Sequence, residues 1–151
     1  MCTIVLGIAV LAMGMSGCLA RPASAALKSD QVRETWSLTF HMSGGIAGLN
    51  REMEFASSGS ATATDHRRSR QVRRQVSQDE LLEIDRLVAS AVAGDAPASS
   101  SCRDCLNYAI ELRRAGQQIT IRADDRSLSN SKVAPLVQAL SRLQNSLLAE
   151  P

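Results

Sequence analysis

The chain has 151 residues, 44% apolar and 21% charged, a balance that suits one folded domain behind a short leader and excludes both two ordinary domains and a disordered chain. Its 17 basic and 15 acidic residues leave a formal net charge of +2, too slight a bias for a dedicated nucleic-acid binder, and no groove-entering motif accompanies it. Nucleic acid is therefore not an expected partner.

No charge occurs from Thr3 to Gly17, and the run Ile4, Val5, Leu6, Ile8, Val10, Leu11 and Met13 is long enough for a signal-peptide core. It falls short of the roughly 20 apolar residues that a spanning helix needs. Two processing sites compete. Met15-Ser16-Gly17-Cys18 resembles a bacterial lipobox, which would lipidate Cys18 and make 1–18 a lipoprotein-type signal peptide. Ala23-Ser24-Ala25 is an A-x-A pattern, and cleavage after Ala25 would instead give a soluble periplasmic or secreted protein. The lipobox is the preferred reading, because Cys18 stands where the apolar run ends. It implies a cell-envelope protein held to the membrane by an N-terminal lipid anchor. Residues 19–32 then form an Ala-rich tether containing Pro22, and 33–151 a single α+β domain.

In that domain Trp36, Leu38, Phe40 and Met42 alternate with Ser37, Thr39 and His41, the pattern of a strand with one face buried. Ser43-Gly44-Gly45-Ile46-Ala47-Gly48 follows, with three glycines in six positions to allow a reversal or a close backbone approach. Met53 and Phe55 resume the alternation, so the pair reads as a hairpin. Ser57 to Thr64 reads as a small, polar spacer. His66 to Val76, carrying Arg67, Arg68, Arg70, Arg73 and Arg74, reads as an extra edge strand or an extended approach to a helix, its charges solvated or forming a basic patch for anionic lipid headgroups or an acidic partner.

Ser77-Gln78-Asp79-Glu80 is a capping box, with Val76 and Leu81 placed as its hydrophobic staple. The helix it starts carries an apolar stripe of Leu81, Ile84, Leu87, Val88 and Ala91 and stops near Gly94. Leu106, Tyr108, Ile110 and Leu112, a turn at Arg114-Ala115-Gly116-Gln117, then Ile119 and Ile121 predict a second hairpin. Asp124-Asp125 reads as a turn. Val133, Leu136, Val137, Leu140, Leu143 and Leu147 mark a terminal helix with Pro135 in its first turn. The expected fold is thus a two-layer α+β sandwich, an antiparallel four-stranded sheet covered by two helices in ββαββα order.

Chemistry is sparse. The only histidines are His41 and His66, and no H-E-x-x-H, G-x-S-x-G or Walker loop is present, so neither an enzyme nor a catalytic residue is expected. No metal site, cofactor or small-molecule substrate is expected either. Cys102-Arg103-Asp104-Cys105 has C-x-x-C spacing before a strand, which in an oxidising envelope reads as a local disulfide, with a thiol redox role as the alternative.

Met42-Ser43-Gly44-Gly45-Ile46-Ala47-Gly48 with Arg51, then the capped helix, then Asp104-Cys105-Leu106-Asn107-Tyr108-Ala109-Ile110 and a terminal helix, resembles the emfourin-like protealysin inhibitors of bacteria. The resemblance spans roughly Glu34 to Leu147. It implies a small α+β inhibitor of thermolysin-like metalloproteases, with Ser43, Gly44, Gly45, Ile46, Ala47 and Gly48 as the protease-binding loop. Ile46 stands where that family often has Phe, and the C-x-x-C pair, the export segment and the Arg-rich stretch are additions. The alternative is an envelope lipoprotein with a scaffolding or partner-binding role unrelated to proteases.

Overall fold

A computed structural model of the chain describes residues 35–94 and 102–149. The chain divides into two units, Met1–Gln31 and Val32–Pro151, and every described residue belongs to the second. Cys18, Ala25, the signal peptide 1–18 and the tether 19–32 lie outside the described residues.

The strands are β1 (Trp36–Gly44), β2 (Leu49–Ala56), β3 (Ser60–Asp65), β4 (Arg70–Gln75), β5 (Leu106–Arg114) and β6 (Gln117–Asp124). The helices are α1 (Gln78–Val92) after β4, then α2 (Asp125–Leu128) and α3 (Ala134–Ala149) after β6. All strands form one antiparallel sheet in the order β4-β3-β2-β1-β5-β6. The first four strands run as a meander. The chain then returns after α1 so that β5 pairs with β1, which leaves β1 in the interior of the sheet.

Sheet and helices share one apolar cluster. Trp36, Leu38, Phe40 and Met42 of β1, Met53 and Phe55 of β2, and Ile110 and Leu112 of β5 all point the same way, as a period of two demands. They meet Leu81, Ile84, Leu87, Val88 and Ala91 of α1 and Leu136, Val137, Leu140, Leu143 and Leu147 of α3. Trp36 stacks on Phe55 with ring centroids 5.6 Å apart, and its indole Nε1 donates to Asp85 Oδ1 at 2.7 Å. That partner satisfies the polar end of an otherwise buried ring. The capping box forms as expected: Glu80 N donates to Ser77 Oγ at 3.3 Å and Ser77 N to Glu80 Oε2 at 2.9 Å.

Among the described residues, six strands and three helices in the order ββββαββαα correct the expected four-stranded ββαββα arrangement. The expected spacer from Ser57 to Thr64 instead holds all of β3 but its last residue, Asp65. The apolar members of β3 are only Ala61 and Ala63, both fully buried, which carry no bulky signal of a strand. Small side chains suit this place, because α3 passes over β3. The Arg-rich stretch splits into a turn at 66–69 and the edge strand β4, where Val72 is the half-buried residue opposite Ala63. Asp124-Asp125 is no simple turn. Asp124 ends β6 and N-caps the one-turn α2, accepting from Arg126 N at 3.0 Å and Ser127 N at 2.8 Å.

Candidate functional site

The meander brings several connections to one end of the sheet. β1 ends there, β2 and β5 begin there, and β3 ends there, so the β1–β2 loop, the β3–β4 turn and the Cys102–Cys105 stretch are neighbours. Ser43, exposed and still in the ladder, pairs with Asn50 and Asn107, and Gly44 pairs with Leu49 and Leu106. Gly45 to Gly48 form the reversal, closed by Gly48 N donating to Gly45 O at 2.9 Å. Ile46 stands at the apex with 97% of its surface exposed, more than any other large apolar side chain described.

This loop is held from two sides. Gly45 N donates to Cys105 O at 3.0 Å, so the backbone of the cysteine stretch is its rest. At Gly44, where φ is +90°, a Cβ would come within 2.8 Å of the same Cys105 oxygen, so glycine is needed for both its dihedral and its bareness. Cys102 and Cys105 lie at disulfide distance with Cα atoms 5.5 Å apart. On the other side the Arg67 guanidinium donates through Nη1 to the carbonyls of Ala47 and Gly48.

Arg67 is positioned by Asp65, which is only 4% exposed. The Asp65 carboxylate accepts from the backbone N–H groups of Arg67 and Arg68, each at 3.1 Å, and from Arg51 Nε at 3.2 Å. Burial alone would raise its pKa, but the hydrogen bonds from the Arg68 backbone and the Arg51 side chain outweigh it and hold the carboxyl below its ordinary range. Arg51 Nη1 also reaches Asn145 Oδ1 of α3 at 2.7 Å, tying this corner of the sheet to a helix. Arg51 belonged to the motif read from the sequence. Asp65 and Arg67 were missed, although an Asp followed by polar residues between two alternating stretches is the signal of an Asx-type turn.

A further missed residue fixes the start of β5. Asp125 accepts from Leu106 N and from the Tyr108 hydroxyl, both at 2.8 Å. Burial and the neighbouring Asp125 carboxylate push the Tyr108 phenol up to about 12.

His41 and His66 converge on one acid on the sheet face opposite the core: His41 Nδ1 and His66 Nε2 lie 3.5 and 3.6 Å from Glu52 Oε2. All three side chains are partly exposed. Among the described residues no group of three or more His, Cys, Asp or Glu is placed to hold a metal ion. That same face carries Thr39, Glu54, Thr62, Arg73 and Glu111 in register, forming a polar basin of about 520 Å³.

No protein-family model matches this chain, and no curated protein matches it. The resemblance to emfourin-like inhibitors therefore rests on the residues themselves.

Proposed function

We propose that the protein is an exported, lipid-anchored binding domain that occupies the cleft of a thermolysin-type metalloprotease with the loop from Ser43 to Gly48. One observation carries this reading: Ile46 stands 97% exposed at the apex of a loop already held by Cys105 and Arg67. A protruding backbone fixed before contact loses little entropy on binding, and a single apolar apex is what a cleft pocket can take. The family resemblance supplies the class of partner. The anchor at Cys18 would hold the inhibitor at the envelope, where secreted proteases pass.

Inhibition of thermolysin by the exported protein tests the reading directly. The expected result is inhibition at micromolar concentration or below, weakened about 100-fold or more by Ile46→Asp, because a central anchor is typically worth at least ~2–3 kcal/mol. A protease left fully active by the intact protein would overturn it.

A second reading, a partner-binding envelope lipoprotein unrelated to proteases, is favoured by the open polar face around Thr39, Glu54 and Glu111. Chemical crosslinking in cells through that face, with no dependence on Ile46, would replace the first reading by the second.

A further inference from the structure

Beside the loop lies a pocket of about 270 Å³ lined by Ala47, Leu49, Arg51, Asp65, Arg67 and Arg68. It shares its wall with the loop, since Ala47 belongs to both and Leu49 follows the loop directly as the first residue of β2. Three arginines and one carboxylate line it, and that carboxylate is already engaged by Arg51 Nε and by the Arg67 and Arg68 backbone. A guanidinium has five N–H donors. Arg51 makes hydrogen bonds from Nε and Nη1, and Arg67 from Nη1, which leaves donors on both, while Arg68, an exposed residue, lines the same space.

We infer that this pocket is a carboxylate-binding subsite, filled by an acidic side chain of the protein whose surface the loop engages. The inference rests on the loop being the docking element and names the chemistry beside it: an apolar pocket for Ile46, flanked by an Asp or Glu. Planar guanidinium forks match a carboxylate in two-point contact, which suits arginine better than lysine. Asp65 in the wall disfavours a doubly charged phosphate more than a singly charged carboxylate. Residual positive charge at the rim also speeds encounter with an acidic cleft, in a salt-dependent way.

The test has two arms on the exported protein. In the first, N-acetylglutamate amide and its neutral counterpart N-acetylglutamine amide are titrated while the side-chain Nε–H signals of Arg51, Arg67 and Arg68 are followed by NMR. The acid should move these signals saturably and the amide should not, and Arg68→Glu should weaken binding about tenfold or more, the scale of one charge-assisted hydrogen bond. Equal responses to the two compounds, or saturation by inorganic phosphate or phosphatidylserine vesicles but not by the acid, would overturn the subsite. Arg68 makes no side-chain bond that the fold needs, so its charge reversal leaves the domain intact.

In the second arm, thermolysin inhibition is compared for the unaltered protein and Arg68→Glu at low and high salt. A tenfold or greater loss at low salt, shrinking at high salt, supports the subsite. Inhibition unchanged by Arg68→Glu would sink the subsite and leave the loop reading standing. Carboxylate binding without any protease inhibition would do the reverse, keeping the subsite and assigning the loop to another acidic partner.

Discussion

Two of the glycine-bearing hairpin turns of this sheet, β1–β2 and β5–β6, solve the same problem by opposite means. The β5–β6 turn reverses on Ala115 at φ +49° and Gly116 at φ +75°, a two-residue reversal of the kind whose twist matches that of the strands. Nothing lies within 4 Å of a Cβ placed at Gly116. The β1–β2 loop instead depends on Cys105, Leu106 and Arg67, which come from distant parts of the chain. A turn that only has to turn is specified locally. One that has to keep a shape while exposing Ile46 needs neighbours, and those neighbours make it a candidate binding surface.

Substituting the glycines separates the two most strongly. Gly44→Ala combines a left-handed backbone with a contact on the Cys105 oxygen and should cost about 2–4 kcal/mol. Gly116→Ala bears only the dihedral cost, roughly 1–2 kcal/mol. Urea denaturation followed by the fluorescence of Trp36, the sole tryptophan, measures both. Equal losses would mean that the first loop is not braced as described.

Replacing Cys102 and Cys105 together by Ser should cost about 2 kcal/mol at most, since the closed loop is short. The effect should be local: faster hydrogen exchange at the Gly45 amide, with the Gly116 amide unchanged. A protein whose two turns loosen equally would show that the cysteine stretch supports the whole sheet.

Ala115→Asn works in the opposite direction. A non-glycine residue in the left-handed region is strained, and Asn tolerates it better than Ala, so a gain of about 0.5–1 kcal/mol is expected in the same denaturation experiment. Inhibition should stay as it was, because this turn lies at the other end of the strands.

The last effect appears only in alkali. Tyr108 fastens the start of β5, on which the braced loop leans, and it is the only tyrosine in the chain. Its folded phenol ionises near 12 against an ordinary 10.0, so its contribution is complete below pH 10 and is lost as pH rises through 12. An ultraviolet titration of the phenol reads this without interference from other tyrosines. Tyr108→Phe should abolish the alkaline step in loop stability while leaving acid behaviour alone.

Much of the architecture was legible because large side chains announce their periodicity. The stripes of α1 and α3 and the alternation of β1 are buried as read, β5 is buried at Ile110 and Leu112 and half-buried at Leu106 and Tyr108, and the Ser77–Glu80 box starts its helix. Strand β3 was illegible, because Ala61 and Ala63 acquire their role only from the helix above them. The one-turn α2 was hidden for a similar reason: Asp124 reads equally well as a turn or a cap. At the candidate site the glycines of the loop were visible, but Arg67 looked like one more edge charge. Its guanidinium meets the carbonyls of residues about twenty positions earlier, and no local pattern encodes that meeting.

By itself the sequence determined which segments are greasy on one side, where α1 begins, and where the chain can reverse, since these follow from side-chain period, capping and glycine dihedrals within a few residues. The tertiary structure alone decided that six strands form one sheet, that Asp65 orients Arg67, and that Cys105 and Arg67 flank Ile46. Those arrangements depend on contacts between residues far apart in the chain, whose free energy exists only once the sheet has closed around β1.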